Sequence, residues 1–230
     1  CVEHFRGMFA FALWDAKRER LLLARDRAGI KQLFYAVHHG RLVWGSELKA
    51  LLADPALERR IRPAAVNHFL TFLYVPEPMT MFEGIDELPA AHLLVAEKGR
   101  VEIKPYWSLH YAEDHRMSEA EAAEGLRHHL DEAVRIRLVS EVPIGAFLSG
   151  GIDSASVVAL MARHSQSAVN TFSIGYASGG DAFDERSHAR RIAERYHTQH
   201  REFEMRPDLV HVLPDLVDAF DQPCADSTAI

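Results

Sequence analysis

Cysteine is scarce in this 230-residue sequence, which contains only Cys1 and Cys224. Two cysteines cannot build a disulfide framework or a zinc site made of several thiolates. No apolar run reaches the roughly 18 residues that a membrane-spanning helix needs, and the first residues lack the pattern of a signal peptide. These absences favour a protein of the reducing cytoplasm that has no membrane partner.

An excess of positive charge is missing as well. The sequence has 26 Lys and Arg against 33 Asp and Glu, a formal net charge of -7, which gives no electrostatic reason to expect nucleic acid as a partner. The fourteen histidines are scattered, and neighbours such as His38 and His39 direct their rings apart on a strand or helix. Histidine therefore does not predict a metal centre.

The sequence does contain a pattern suited to binding phosphate. Residues 149–154, Ser-Gly-Gly-Ile-Asp-Ser, follow one apolar run and precede another. Adjacent glycines permit positive φ and let ligand oxygens approach the backbone N–H groups. Ser154 is predicted to cap a helix beginning near Ala155, whose positive end favours an anion. The plain alternative is an ordinary strand-to-helix turn, which needs one glycine and one cap rather than this richer set.

Asp153 is the unexpected member of the pattern. A carboxylate beside a phosphate is repelled unless a divalent cation lies between them, so Asp153 is predicted to bind Mg²⁺. The loop lacks the lysine of G-x-x-x-x-G-K-[ST] and the spacing of G-x-G-x-x-G. Both differences argue against a Walker ATPase and a Rossmann dehydrogenase.

The six residues resemble the S-G-G-x-D-S pyrophosphate loop of ATP pyrophosphatases, which cleave ATP between its α- and β-phosphates and form an adenylate. The preceding run at 137–148, RLVSEVPIGAFL, resembles the approach to this loop in glutamine-dependent asparagine synthetases. RGMFAFALWD at 6–15, ARDRAGIKQLFY at 24–35 and GSELKAL at 45–51 resemble the later part of that family's glutaminase domain. Gln32 stands where the family usually has proline.

Residues 1–110 are predicted to be the C-terminal part of that type 2 glutamine amidotransferase domain, with an α+β fold. Strand-length apolar runs predict hairpins between 8–15 and 21–26, between 33–37 and 41–45, and around Lys98-Gly99. Short helices are expected at 46–52 and from Pro63. The resemblance implies an Ntn-hydrolase-like arrangement.

Residues 111–230 are predicted to be the N-terminal part of an ATP-pyrophosphatase synthetase domain, after a polar boundary at 108–117. Ser118 and Glu121 form a capping box that opens a long amphipathic helix. The alternation that follows predicts an α/β parallel sheet with helices on both faces, and the resemblance implies an adenine nucleotide α-hydrolase-like fold. The predicted elements are strand 142–148, helix 154–164, strand 169–175, helix 184–197, strand 200–204 and helix 208–220.

The resemblance assigns the candidate site residue by residue. Ser149, Gly150, Gly151 and Ser154 would hold the β- and γ-phosphates of ATP, and Asp153 would bind Mg²⁺. Leu148 and Ile174 would contact the nucleoside, although ordinary core residues would look the same in sequence. Asp184 and Glu185 either belong to an acidic pair of the family or favour the dipole of the next helix.

The implied reaction is that of a glutamine-hydrolysing asparagine synthase. Aspartate and ATP give a β-aspartyl-adenylate and pyrophosphate, and ammonia from glutamine then gives asparagine and AMP. Cys1 is not expected to be the glutaminase nucleophile, which is expected outside this chain, because Val2-Glu3-His4 replaces the C-G-I start. The resemblance also implies a homodimer. Two alternatives are a related amidotransferase or cyclase acting on another acid, and a nucleotide-binding or scaffolding protein without catalysis.

Overall fold

The computed structural model describes residues 1–113, 116–176, 184–205 and 209–223 together with Ala225. These residues divide into two compact units, one of Cys1–Tyr111 with the described part of 209–230, and one from the described part of 112–208. The first unit contains β1 (Ala10–Asp15), β2 (Arg20–Arg25), β3 (Phe34–His38), β4 (Arg41–Gly45), α1 (Leu48–Leu52), α2 (Pro63–Phe72), β5 (Asp86–Glu87), β6 (His92–Glu97), β7 (Arg100–Pro105) and α6 (Leu209–Phe220). The second contains α3 (Glu119–Arg137), β8 (Gly145–Phe147), α4 (Ile152–His164), β9 (Asn170–Tyr176), α5 (Arg186–Arg195) and β10 (Gln199–Met205).

Two antiparallel sheets form the first unit, with strand orders β1-β2-β6-β7 and β4-β3-β5. The three predicted hairpins are confirmed as β1–β2, β3–β4 and β6–β7. His39 and Gly40 turn the second with φ of 48° and 76°, and Lys98 and Gly99 turn the third with φ of 51° and 73°. The residues of these tight turns therefore adopt the left-handed conformation that two-residue hairpins use.

The core of the first unit follows the two-residue period of its strands. Phe34 and Ala36 of β3 lie on one face with α1, and Tyr35 lies on the other face against β2. Because successive side chains of a strand point to opposite faces, β3 contributes to two separate hydrophobic clusters. The buried members of the clusters are Phe34, Ala36, Leu48, Leu51, Leu57 and Ile85 in the first, and Leu21, Leu23, Leu33, Leu88 and Leu94 in the second.

Arg25 is a buried charge at the end of β2. Its guanidinium pairs with two carboxylates, with 2.8 Å from Nη1 to Oε2 of Glu77 and 2.7 Å from Nη2 to Oε1 of Glu87. Burial raises the pKa of Glu87, although the charge of Arg25 opposes this increase. The pairing thus connects β2 to the segment around β5. The guanidinium also donates to the carbonyls of Gly29, Lys31 and Leu88.

Asp26, the next residue, organises the turn that follows β2. Its buried carboxylate accepts four backbone N–H groups. Burial alone would raise the pKa of Asp26, but these four hydrogen bonds together hold it below its usual value. The donors are Phe9 at 3.3 Å, Ala28 and Ile30 at 3.1 Å, and Lys31 at 3.0 Å.

The predicted helix at 208–220 is present as α6, but it contacts the first unit instead of the parallel sheet. Just beyond it, Asp221 accepts the backbone N–H of Lys49 at 2.9 Å, and Gln222 accepts that of Met81 at 3.2 Å. Lys49 is the second residue of α1, whose N-cap residue Glu47 makes no side-chain cap. Asp221 therefore caps a helix from far along the chain.

The second unit is built on a parallel sheet with the order β10-β9-β8. Gly145 of β8 and Gln199 of β10 both pair with Asn170 of β9, so the strands begin level with one another. The predicted capping box is confirmed, because Ser118 accepts the N–H of Glu121 and the Glu121 carboxylate accepts the N–H of Ser118.

The prediction of helices on both faces of this sheet is wrong for the described residues of the unit. Leu148, the residue directly after β8, packs with Val158 of α4 and Ala189 of α5, so these helices share one face. Phe147 and Phe203 lie on the other face and are exposed by 75% and 50%. The helix predicted at 208–220 was also assigned to this sheet, but it forms α6 and belongs to the first unit.

Within the described ranges, no helix combines the length and the apolar character needed to cross a bilayer.

Candidate functional site

The candidate loop at 149–154 joins β8 to α4 at the carboxyl end of the parallel sheet. Its conformation is held by the two serine side chains, whose Oγ atoms lie 2.9 Å apart. The N–H of Gly151 donates to the Ser149 hydroxyl, and the N–H of Ser149 donates to the Ser154 hydroxyl, each at 3.3 Å. Carboxyl ends of parallel strands are where α/β proteins bind ligands.

The predicted start of the next helix is wrong by a few residues. α4 begins at Ile152 with Gly151 as its N-cap, and no side chain caps it. Ser154 lies inside the first turn, where its hydroxyl donates to the Gly151 carbonyl at 3.2 Å. Because the helix begins earlier than predicted, Asp153 is also part of its first turn.

Gly150 is the position in this loop that requires glycine. It has φ of +83°, and a Cβ placed on it would lie 2.5 Å from the Cβ of His188 and 2.7 Å from the backbone nitrogen of Ala189. Both of those residues belong to the first turns of α5. The loop therefore lies directly against a second helix, which leaves no space for a side chain at Gly150.

Leu148 and Ile174 occupy different environments. Leu148 is buried, its N–H donates to the Phe172 carbonyl at 2.8 Å, and its carbonyl accepts the Ser173 hydroxyl. Ile174, on the opposite face of β9 from Ser173, is 42% exposed. Ser173, which fixes the carbonyl immediately before the loop, was not identified from the sequence, because a serine inside a strand gives no pattern of its own.

The side chain of Asp153 is exposed and makes no hydrogen bond or ion pair with another described residue. The described residues contain no group of three or more His, Cys, Asp and Glu side chains that could hold a metal ion. One carboxylate is nevertheless a sufficient protein ligand for Mg²⁺ when phosphate oxygens and water complete the coordination. The donor type and its place beside the loop therefore fit Mg²⁺ held jointly with a nucleotide.

Asp184 forms a strong pair that the sequence did not reveal. Its carboxylate accepts the Arg186 guanidinium, with 2.8 Å from Nε to Oδ1 and 2.6 Å from Nη2 to Oδ2, and it also accepts the Arg186 N–H at 3.0 Å. These hydrogen bonds lower the pKa of Asp184 to about 2. Glu185 is the N-cap residue of α5, without a side-chain cap. The spacing of Asp184 and Arg186 in the sequence did not predict this ion pair.

Family models match both parts of the chain. The model described as a glutamine amidotransferase domain matches residues 1–107, and the model described as asparagine synthase matches residues 125–230. The second match includes the whole loop at 149–154.

Two of the curated relatives match almost the whole chain. The chain is 34% identical over 237 residues to asparagine synthetase [glutamine-hydrolyzing] 3 of Bacillus subtilis, covering 97% of this chain and 38% of that protein. It is 31% identical over 234 residues to putative asparagine synthetase [glutamine-hydrolyzing] 2 of Methanocaldococcus jannaschii, covering 98% of this chain and 44% of that protein. A third relative, amidase chry2 of Gibberella zeae, is 42% identical over 167 residues, with 70% of this chain and 24% of that protein covered.

With this fold, this loop and these matches, the chain belongs to the glutamine-hydrolysing asparagine synthetase family. The chain spans between 24% and 44% of the length of the relatives named above.

Proposed function

We propose that this chain supplies part of a glutamine-dependent asparagine synthase. In the proposed reaction, a carboxylate oxygen of aspartate attacks the α-phosphorus of ATP, and the bond between the α- and β-phosphates breaks. Pyrophosphate leaves, and a β-aspartyl-adenylate remains. Ammonia released from glutamine then attacks the acyl carbon, which gives asparagine and AMP.

The loop at 149–154 is the observation that carries the proposal. The amides of Ser149 and Gly151 are occupied only by long 3.3 Å hydrogen bonds to serine oxygens. Phosphate oxygens are stronger acceptors than hydroxyls, so an incoming phosphate can replace these bonds. The first turn of α4 adds the positive end of a helix. Ser149, Gly150, Gly151 and Ser154 would therefore hold the β- and γ-phosphates.

Asp153 is the proposed Mg²⁺ ligand. When bound, Mg²⁺ would neutralise charge on the departing pyrophosphate. The part of Asp153 is to hold its carboxylate beside the phosphates from the first turn of α4, where it has no competing partner among the described residues.

Leu148 and Ile174 are the proposed nucleoside contacts. Ile174 would offer its exposed side chain as an apolar surface. The Leu148 side chain is buried and both of its backbone polar groups have partners, so its contribution would come through the second lone pair of its carbonyl oxygen.

Residues 1–110 are the proposed glutaminase part, and 111–230 the proposed synthetase part; the ranges of the two family models support this division. Cys1 is exposed and precedes a short 3-10 helix, Val2–His4. We expect the nucleophilic cysteine that hydrolyses glutamine outside this chain. A homodimer and a cytoplasmic location are further predictions of the family resemblance.

A second candidate is an enzyme of the same plan that acts on another acid. The relative named as an amidase supports it, because a protein that is 42% identical to this chain over 167 residues carries a name other than asparagine synthetase. Adenylation would be the same, and only the acceptor would differ.

Exchange of labelled pyrophosphate into ATP by the full-length protein tests the proposal. We expect exchange that depends on aspartate, and we expect Asp153→Asn to reduce it by at least about 100-fold, because loss of metal-assisted charge stabilisation costs several kcal/mol. Glu119→Gln is the matched control, since it removes an exposed carboxylate from the first turn of α3 in the same unit. The control should exchange at the wild-type rate.

Each other outcome of this experiment has a distinct meaning. Exchange at the wild-type rate by Asp153→Asn would overturn the metal assignment. Exchange that requires a different acid would favour the second candidate. Binding of ATP and Mg²⁺ without exchange under any acid would favour a nucleotide-binding protein without catalysis and would contradict both enzyme proposals.

A further inference from the structure

Arg186 lies where Asp184, the start of α5 and the end of β9 meet, beside the candidate loop at 149–154. It is the first residue of α5, and its guanidinium is held by the Asp184 carboxylate through contacts of 2.6–3.0 Å. Its side chain is only 22% exposed. An arginine held by two nearly parallel hydrogen bonds has a fixed orientation, which a single ion contact would not give.

The guanidinium lies across the carboxyl end of β9 at Gly175. A Cβ placed on Gly175 would be 2.2 Å from Nε and 2.5 Å from Cζ of Arg186. Gly175 directly follows Ile174, the proposed nucleoside contact. Glycine at 175 is therefore what lets the start of α5 approach this strand so closely.

The same first turn of α5 supports the phosphate side of the site. Gly150 lies against the Cβ of His188 and the backbone nitrogen of Ala189. Moving the start of α5 by a few tenths of an ångström would thus open a gap at Gly150 or force the loop to follow. The start of α5 therefore contacts both the loop and the end of β9.

We propose that Arg186 is a positioning residue for the nucleotide. Through Asp184 and Gly175 it fixes the start of α5 on β9, and through His188 and Ala189 this helix start fixes the loop at 149–154. Arg186 would thereby hold the proposed nucleoside contact at Ile174 and the loop at 149–154 in one fixed relation to each other. This inference rests on the proposed function, because it assumes that ATP binds at these two places.

Arg186→Met in the full-length protein tests the proposal, and Arg190→Met is its matched control. Arg190 lies one turn later in α5 and pairs just as closely with Glu202, at 3.0 Å and 2.8 Å, but it does not contact Gly175. We expect Arg186→Met to raise the KM for ATP in pyrophosphate exchange about tenfold, equivalent to about 1.4 kcal/mol. We expect a smaller change in kcat, and the KM of the control should stay within about twofold of wild type.

Gly175→Ala provides an independent route to the same effect, since its methyl group would displace the guanidinium without removing it. It should raise the KM for ATP as Arg186→Met does. Combining Gly175→Ala with Arg186→Met should add little, because both changes break the same contact. Additive effects, or equal KM values for the two arginine variants, would overturn the proposal.

Amide hydrogen exchange of the ligand-free protein separates this inference from the proposed function. We expect Arg186→Met to accelerate exchange at 149–154, while Arg190→Met leaves these amides at the wild-type rate. Unchanged exchange at the loop in Arg186→Met would overturn the positioning role whatever the enzyme does. Accelerated exchange in a protein whose wild type neither binds nor turns over ATP would instead overturn the proposed function, and with it the nucleotide part of this inference.

Discussion

Gly150 lies against His188 so closely that a Cβ on the glycine would be 2.5 Å from the Cβ of the histidine. Real Cβ atoms do not approach each other to this distance, so the contact exists only because residue 150 has no side chain. The relationship joins the loop after β8 to the helix after β9. The shape of the candidate phosphate site therefore depends on a helix that is distant from it in sequence.

We predict that Gly150→Ala severely impairs the site. The alanine would need a left-handed backbone at φ of +83° and would clash with backbone atoms of α5, which cannot move aside as a flexible side chain could. Pyrophosphate exchange by the full-length protein should fall by at least about tenfold, equivalent to about 1.4 kcal/mol or more.

Gly125→Ala is the control for this substitution. Gly125 lies inside α3 with open space around it, so alanine there should leave exchange unchanged and stabilise the helix by about 0.5–1 kcal/mol. A Gly150→Ala protein with wild-type exchange would show that the loop does not hold ATP in the conformation seen here.

Local patterns in the sequence were sufficient for most elements of the fold. The three hairpins, the capping box of Ser118 and Glu121, and the parallel strands around the loop all follow from periodicity and turn residues. The position of α6 did not follow, because its amphipathic pattern shows that the helix packs against something without showing which unit supplies the surface. A helix start is similarly ambiguous where glycines precede two serines, and α4 begins at Ile152 instead of near Ala155.

The candidate site was predictable where its residues are adjacent in sequence, and not where they meet only in three dimensions. The loop at 149–154 is a continuous pattern. The contact of Gly150 with α5, the bond from Ser173 to Leu148 and the position of Arg186 over Gly175 join separate elements, and each involves residue types that are common elsewhere. Such contacts depend on strand register and helix placement, which no single segment encodes.

We predict that Arg25→Met destabilises the first unit by about 3–5 kcal/mol, because it leaves the mostly buried Glu87 carboxylate without its cation. Without Arg25 the pKa of Glu87 should rise further, since burial already raises it. The loss in free energy of unfolding should therefore grow as the pH rises, because Glu87 must then ionise without a cation beside it. Urea unfolding at several pH values measures both effects.

Arg41→Met is the control for the buried pair. Arg41 makes a 2.8 Å contact with Asp54, but its side chain is 64% exposed, so its removal should cost less than about 1 kcal/mol at every pH. Equal losses for the two variants would show that burial of Arg25 contributes nothing beyond an ordinary surface pair.

Asp26→Asn should remove a pH-dependent part of the stability. The folded-state pKa of Asp26 lies below its usual value of 3.8, so its ionised form stabilises the fold above about pH 4, and this contribution disappears as the pH falls through the lowered pKa. Asparagine keeps the shape, but it replaces one acceptor oxygen by an NH₂ group that would face N–H donors. We expect a loss of about 3 kcal/mol at neutral pH, from buried donors left without an acceptor.

Asp15→Asn is the control for this substitution, because it removes a carboxylate that lies in an exposed turn instead of a buried one. Asp15 also accepts backbone N–H groups, those of Lys17 and Arg18 at 3.1 Å and 3.2 Å, but in an exposed turn where water can replace it. Asp15→Asn should therefore cost less than about 1 kcal/mol.

In urea titrations between pH 2 and pH 7, the difference in free energy of unfolding between wild type and Asp26→Asn should shrink steadily toward acid. A difference that stays constant over this range would contradict a charge-dependent role for Asp26, because only an ionised carboxylate can lose its contribution by binding a proton.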